Sequence, residues 1–171
     1  MKDVQIVTLP AKDWKAYKQL RLNALKEEPA AFFTRYSSQV LVPDLEWKER
    51  LSKYTEKKGN WMVFARIDKN FVGMMGAYQT KEDFKRKGVH LMAVFVDKKY
   101  RGKGISKTLL AVLLKELKKA QVSVVALGVN CTQKAAIRLY KGFGFVLFNK
   151  KRVVLGDGKR HTEYFMRLRL T

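Results

Sequence analysis

The chain has 171 residues, one cysteine and a formal net charge of +21, and 47% of its residues are hydrophobic. This length and composition predict a single globular domain over residues 1–171, and the lone Cys131 excludes an internal disulfide framework and a cysteine-rich metal site. The sequence has neither the ~20 consecutive apolar residues of a membrane span nor the apolar core of a signal peptide, so we expect a cytoplasmic protein that binds no membrane.

The charge is the one extreme property of the sequence. The chain carries 36 Lys and Arg against 15 Asp and Glu, which favours a nucleic acid, an anionic membrane or an acidic ligand as partner. The basic residues are spread along the whole chain, and a nucleic-acid module needs exposed aromatic side chains among its cations. Four phenylalanines instead fall inside predicted strands, as core residues do: Phe64, Phe71, Phe95 and Phe145. A lysine-rich surface is therefore the favoured explanation, and nucleic-acid binding is retained as the alternative.

The first half of the chain predicts strands and helices with clear breaks between them. Apolar alternation marks the strands, apolar spacings of three and four residues mark the helices, and Pro29 ends the first helix. The predicted elements are a strand over Val4–Leu9, helices over Asp13–Glu28 and from Asp44 to about Ser52, a hairpin of strands 61–67 and 71–79, and a charged loop over 80–88.

The second half alternates strands with helices and closes with another hairpin. Five leucines and one isoleucine form the apolar stripe of its longest helix. The predicted elements are a strand over Val89–Val96, a helix over Gly104–Ala120, a strand over Val122–Val129, a helix over Gln133–Gly142, and strands 145–155 and 162–170. Strand–helix alternation together with hairpins predicts an α/β (α+β) fold in which helices flank a mixed sheet.

A basic turn with two glycines, Tyr100–Ser106, joins the strand ending at Val96 to the longest helix. The unpaired N–H groups of the first helical turn and the helix dipole favour an anion there, and glycine lets a phosphate approach closely. Arg101 and Lys103 add positive charge. The turn fits neither the Walker pattern nor the dinucleotide fingerprint, because Lys107 stands at the third glycine position of the latter.

The pattern Arg101-x-x-Gly104-x-Ser106 between a strand and a helix resembles the acetyl-CoA loop of the GNAT N-acetyltransferase superfamily, R/Q-x-x-G-x-G/A. Residues 129–145 are similar to the late strand, loop and helix of the same superfamily, with matches over Ala136–Tyr140 and at Gly144-Phe145. Together the two stretches cover roughly residues 60–170. The resemblance implies a mixed, mostly antiparallel sheet, flanked by about four helices and splayed at its central strands.

The resemblance also implies acetyl-CoA as co-substrate and direct transfer of its acetyl group to a primary amine in a ternary complex. Val94 and Val96 would pair with the pantetheine arm through their backbone groups, and Gln133 stands where an Asn usually contacts that arm. The predicted acetyl-CoA residues are Val94, Val96, Arg101, Gly102, Lys103, Gly104, Ile105, Ser106, Gln133 and Tyr140.

Two residues are candidates for proton transfer. By resemblance, Tyr140 is the tyrosine that approaches the CoA sulfur and protonates the departing thiolate; the alternative is a tyrosine that only packs under the sheet. His90 lies eleven residues before Arg101, where several family members have a Glu that acts as the general base. A histidine with a pKa of about 6.5 could also remove the proton. Strand alternation predicts that it shares a face with Met92, Val94 and Val96. A structural histidine, or a water chain acting as the base, remains an open alternative.

The sequence gives fewer indications of the residues that bind the acceptor amine. Phe32, Phe33 and Tyr36 lie between the first two helices, where this family builds acceptor walls. Glu27 and Glu28 could attract an amine, but solvated charges at a helix end are the favoured interpretation. The acceptor is an unidentified small-molecule or peptide amine, and a homodimer is left open. The competing functions are nucleic-acid binding and a CoA-binding sensor without turnover.

Overall fold

Seven strands form one sheet in the order β1-β2-β3-β4-β5-β7-β6. The computed structural model describes residues 3–56, 58–80 and 88–170. Within these residues the strands are β1 (Val4–Val7), β2 (Asn60–Ile67), β3 (Asn70–Tyr78), β4 (Gly88–Val96), β5 (Val124–Asn130), β6 (Val146–Val154) and β7 (Arg160–Arg169). Only β4 and β5 pair in parallel, and the other neighbours are antiparallel. The predicted mixed, mostly antiparallel sheet is confirmed.

Five α-helices accompany the sheet in the described part of the chain, with short 3₁₀ turns at Ala11–Asp13, Pro29–Ala31 and Lys98–Tyr100. The α-helices are α1 (Trp14–Glu27), α2 (Tyr36–Gln39), α3 (Asp44–Glu56), α4 (Ile105–Lys119) and α5 (Lys134–Gly142). The short α2 was not predicted, and α3 runs four residues past its predicted end. The predicted charged loop falls mostly on residues 81–87, outside the described residues. None of the described helices is long and apolar enough to cross a membrane.

The two faces of the sheet carry separate hydrophobic clusters. On one face, α4 buries the apolar stripe that its sequence predicts, with Leu109, Leu113 and Leu117 fully buried. On the other face, Tyr17 of α1 packs edge-on against Trp47 of α3 and Phe64 of β2, with ring centroids 5.6 and 6.1 Å apart. The helices are thus fixed to both sides of the central strands, and Phe64, Phe95 and Phe145 are core residues as expected.

The central strands β4 and β5 separate after a short contact. They pair over only three residue pairs, Gly88↔Val124, Val89↔Val125 and His90↔Ala126. Beyond that point β4 stays with β3, whereas β5 stays with β7 as far as Asn130. The predicted splay of the central strands is therefore present, and it opens toward the carboxyl ends of both strands.

A β-bulge in β4 overturns one expectation about side-chain direction. The pairing with β3 shifts between Met92 and Phe95, and Ala93 has a φ of 53°. A bulge inserts an extra residue and reverses the facing of the residues that follow it. Met92 consequently packs in the α1/α3 cluster and Val94 in the α4 cluster. The prediction that His90 and Met92 share a face with Val94 and Val96 is wrong, because strict alternation ends at Ala93.

We expect Leu113→Ala to lower the free energy of unfolding by about 2–5 kcal/mol, because it leaves a cavity in a closed part of the core. Lys115 on the same helix is exposed, so Lys115→Ala should change stability by less than about 0.5 kcal/mol. Urea unfolding of both variants checks the difference, and similar losses in the two would contradict the placement of the apolar stripe.

Candidate functional site

A cleft of about 330 Å³ occupies the opening between β4 and β5. The ends of both strands, α5, β7 and residues 31–34 line it. The structure brings six of the predicted site residues together on its walls: Phe32, Phe33, His90, Val94, Gln133 and Tyr140. Val96 and Tyr36 are not among the lining residues. Tyr36 instead begins α2 with an exposed side chain.

The glycine turn leads from the end of β4 into α4. Gly102 and Gly104 have φ angles of +75° and +78°, a conformation that favours glycine, and a Cβ on either would meet only open space. Gly104 caps α4 without any side-chain hydrogen bond to the cap. The N–H groups of Ile105, Ser106 and Lys107 therefore point outward with no intrahelical acceptor. This arrangement suits a phosphate group, as the sequence predicts.

The Arg101 side chain contacts the ends of β4 and α1. Its Nε donates to the Val96 carbonyl at 2.8 Å, and its Nη1 donates to Glu28 at 2.8 Å. Glu27 lies 3.9 Å from Nη2. The guanidinium is thus tied to the end of β4 and to the C-terminal end of α1 rather than aimed at the glycine turn. Glu28 is correspondingly an ion-pair partner, not the solvated charge that the sequence favours.

Tyr140 lies on the inner face of α5. Its side chain is 4% exposed, lines the cleft, and packs on Phe145 with ring centroids 5.6 Å apart. Burial raises the pKa of its hydroxyl well above the usual range, because the phenolate would be poorly solvated there. A tyrosine hydroxyl is protonated at neutral pH in any case, so Tyr140 carries a proton to donate, and its raised pKa makes it a weaker acid than an exposed tyrosine.

His90 is half-buried at the point where β4 and β5 part. Its ring stacks on Tyr78 of β3, the cross-strand neighbour, with centroids 5.5 Å apart and planes 30° apart. Both rings line the cleft. Because the bulge follows His90, the imidazole faces the α1/α3 side and not the α4 side where Val94 lies.

The segment between α1 and α2 closes the cleft on the α1 side. Asn130 Nδ2 donates to the Ala30 carbonyl at 3.0 Å, and the Gly156 amide donates to the Phe32 carbonyl at 2.6 Å. Phe32 is 7% exposed, whereas Phe33 is 62% exposed at the mouth. Two of the three predicted acceptor-wall residues therefore contact the cleft, one at its floor and one at its rim.

Two charged residues in the cleft lie outside the sequence prediction. Glu163 of β7 is 4% exposed, and burial raises the pKa of its carboxyl. Arg21 of α1 lines the same cleft, and burial lowers the pKa of its guanidinium. The sequence does not reveal Glu163 as a site residue. Tyr164, Met166 and Leu168 form the apolar face of β7, and strand alternation then predicts that Glu163 faces solvent. No group of three or more His, Cys, Asp or Glu side chains suited to a metal occurs among the described residues.

Curated proteins with related sequences are N-acetyltransferases. The chain is 28% identical over 114 residues to human N-acetyltransferase 8, covering 66% of this chain and 49% of that protein. It is 35% identical over 92 residues to rat N-acetylaspartate synthetase, covering 54% of this chain and 30% of that protein. The chain thus spans half or less of the length of these relatives.

Solved structures share the fold over nearly the whole chain. A GNAT-family acetyltransferase from Streptococcus pneumoniae superposes with a TM-score of 0.85 at 19% identity, covering 99% of this chain and 100% of that one. A putative acetyltransferase from Salmonella typhimurium, solved with acetyl-CoA, gives 0.84 at 20% identity, covering 99% and 95%. The sequence profile described as the acetyltransferase (GNAT) family matches residues 22–145. With that match over most of its length, on a splayed sheet with a glycine turn at α4, the chain belongs to the acetyltransferase (GNAT) family.

Proposed function

We propose that the chain transfers the acetyl group of acetyl-CoA to a primary amine by direct transfer in a ternary complex. The observation that carries this proposal is the cleft between β4 and β5, which holds Tyr140 and is lined by β4, the strand that leads into the glycine turn. The names of the related N-acetyltransferases and the acetyl-CoA in a structural neighbour support it. The names of these relatives differ, so they do not identify the acceptor amine.

The glycine turn is the proposed site for the phosphates of CoA. The outward N–H groups of Ile105, Ser106 and Lys107 supply neutral donors, and Lys103 supplies a charge. Val94 is the stronger candidate for pairing with the pantetheine arm, because the bulge leaves it without a cross-strand partner in β3. Val96 pairs with Gly73, and its carbonyl already accepts from Arg101. Gln133 lies at the start of α5 on the wall of the cleft.

Acetyl-CoA supplies an activated thioester, so the protein has to position two reactants and move two protons. The amine must lose a proton before its nitrogen attacks the thioester carbonyl carbon. His90, or a water chain that reaches it, is the proposed base. When the carbon–sulfur bond breaks, the sulfur leaves as a thiolate. The Tyr140 hydroxyl, on the wall of the cleft, is the proposed donor to that thiolate.

A screen of amines with acetyl-CoA, monitored by release of free thiol, tests the proposal directly. Thiol release that depends on an amine and yields the N-acetyl product is the expected result. Tight CoA binding without acetylation of any amine in a broad panel would contradict the proposal and favour a sensor. Tight, sequence-selective binding of a nucleic acid at physiological salt would favour the other alternative.

For the phosphate site, Gly104→Asp should weaken CoA binding at least about tenfold, or ~1.4 kcal/mol, because it brings a carboxylate to the anion position. Gly104→Ala is the matched control, since it carries the same backbone strain at a φ of +78° but no charge, and it should weaken binding much less. Calorimetry measures both affinities. Unchanged affinity in a folded Gly104→Asp variant would remove the glycine turn from the CoA site.

For the acid, Tyr140→Phe should lower kcat by about 10²-fold or more, the usual scale for loss of a positioned proton donor. The ring remains, so CoA affinity and Tm should hardly change. Tyr164→Phe, which removes a hydroxyl from a half-buried tyrosine outside the cleft lining, is the control. If Tyr140→Phe keeps the wild-type kcat, Tyr140 has only a packing role.

For the base, His90→Gln should remove or displace the lower limb of the pH–rate profile, because that limb reports protonation of the base. The profile of kcat/KM against pH, measured with one saturating acetyl-CoA concentration, checks this expectation. A profile that keeps its shape would assign proton removal to a water chain independent of His90.

A further inference from the structure

Within the part of the chain that the structure describes, two buried atoms of opposite charge, one on Glu163 and one on Arg21, lack a hydrogen-bond partner on the α1 side of the cleft, and the proposed acetyl transfer uses neither residue. Glu163 Oε2 and Arg21 Nη1 have no hydrogen-bond partner among the described residues. A buried charged group without a partner destabilises the free protein. A ligand that offers an ammonium to one group and an anion to the other would supply both missing partners.

Glu163 is held in place by the backbone beneath it. It lies opposite Asn130 in the β5–β7 ladder, and its carboxylate leans over Gly128, where any Cβ would overlap it. Asn130 does not hydrogen-bond to Glu163 Oε2, and its amide contacts other groups. Asn130 Nδ2 donates to Ala30, and its Oδ1 accepts from the amide and hydroxyl of Thr132. Glu163 thus lines the cleft with a carboxylate whose Oε2 has no hydrogen-bond partner in the described ranges of the chain.

Arg21 lies where the cleft meets a second recess of about 380 Å³. Its guanidinium carbon is 4.6 Å from the centroid of the Phe32 ring. Arg50 and Lys53 also line the recess, but Arg50 donates to Glu46 and to Gln39, each at 2.6 Å. Arg21 is therefore the buried cation of this region that retains an unused donor.

We propose that the acceptor is an amine that also carries a carboxylate, such as a free amino acid, with its ammonium held by Glu163 and its carboxylate held by Arg21. This inference rests on the acetyl transfer proposed above and names the class of its acceptor. The planar guanidinium matches the geometry of a carboxylate. Arg21, Thr34, Met92 and Ala93 line both cavities, so one small molecule can extend from the cleft into the recess.

The first test compares acceptors on the wild-type protein. Alanine should be acetylated with a kcat/KM at least about tenfold above that of ethylamine, which is alanine without its carboxylate, since charge-assisted hydrogen bonds are the strong ones. Alaninamide, which is less basic than alanine, should also be a poorer acceptor. Its inclusion separates carboxylate recognition from the effect of amine basicity. Aspartate and an acidic tripeptide distinguish a free amino acid from a peptide N-terminus.

Two variants then assign the contacts. Arg21→Gln should raise KM for alanine about tenfold or more and leave KM for ethylamine unchanged, because only alanine has the carboxylate. Glu163→Gln should raise KM for both acceptors, because both have an ammonium. CoA affinity should be unchanged in each variant. Arg169→Gln, which removes an exposed arginine from the same strand as Glu163, controls for the loss of one positive charge.

The stability of Glu163→Gln gives a readout that is independent of turnover. Burial raises the carboxyl pKa in the folded state, so the ionised group lowers stability above the usual carboxyl pKa, and this cost fades as the pH falls through that range. Glu163→Gln should accordingly be at least as stable as wild type toward urea at neutral pH. A clear loss of stability would show that the carboxylate has a structural partner, against the inference.

The outcomes separate the inference from the function on which it rests. Equal kcat/KM values for alanine, alaninamide and ethylamine would overturn the carboxylate-bearing acceptor while leaving acetyl transfer intact. A preference for alanine that survives Arg21→Gln would overturn the assignment of Arg21. Absence of thiol release with every amine, in a protein that binds CoA, would overturn the proposed function itself.

Discussion

The separation of β4 and β5 is the constraint on which the site depends. Two neighbouring strands normally pair along their whole shared length. Each buried N–H or C=O group left without a partner lowers the stability of the fold by ~1–3 kcal/mol. Here the two strands part after three residue pairs, although each continues beside its other neighbour. The bulge at Ala93 turns β4 and redirects its side chains at this same point. The cleft exists because the sheet is stabilised on both sides of the gap rather than across it.

The walls of the cleft are held by contacts between distant parts of the chain. Arg101 joins the end of β4 to the C-terminal end of α1, and Asn130 joins the end of β5 to Ala30. Both contacts act on the segment that follows α1. That segment places Phe32 inside the cleft and Phe33 at its mouth. Arg101, which belongs to the glycine-turn motif, therefore also helps to position the wall formed by the segment after α1.

The charges of the cleft contrast with the charge of the protein. A net charge of +21 attracts anions generally and carries no geometric information. Inside the cleft, one carboxylate and one guanidinium are each fixed by packing, Glu163 over Gly128 and Arg21 over Phe32. Two fixed charges of opposite sign discriminate between ligands in a way that a diffuse surface charge cannot. The composition thus says little about the acceptor, and two buried residues say more.

The sequence by itself determined the order of the elements, the family and the glycine turn ahead of α4, because these depend on local patterns. The leucine spacing of α4, the positive φ at Gly104 and the burial of Tyr140 each follow from residues close together in the chain. Only the tertiary structure decided which side chains meet on the α1 side of the cleft. The bulge reversed the facing of β4, Arg101 contacted Glu28, and Glu163 became buried at the cleft. These features arise from contacts between residues far apart in the sequence, which no local periodicity reports.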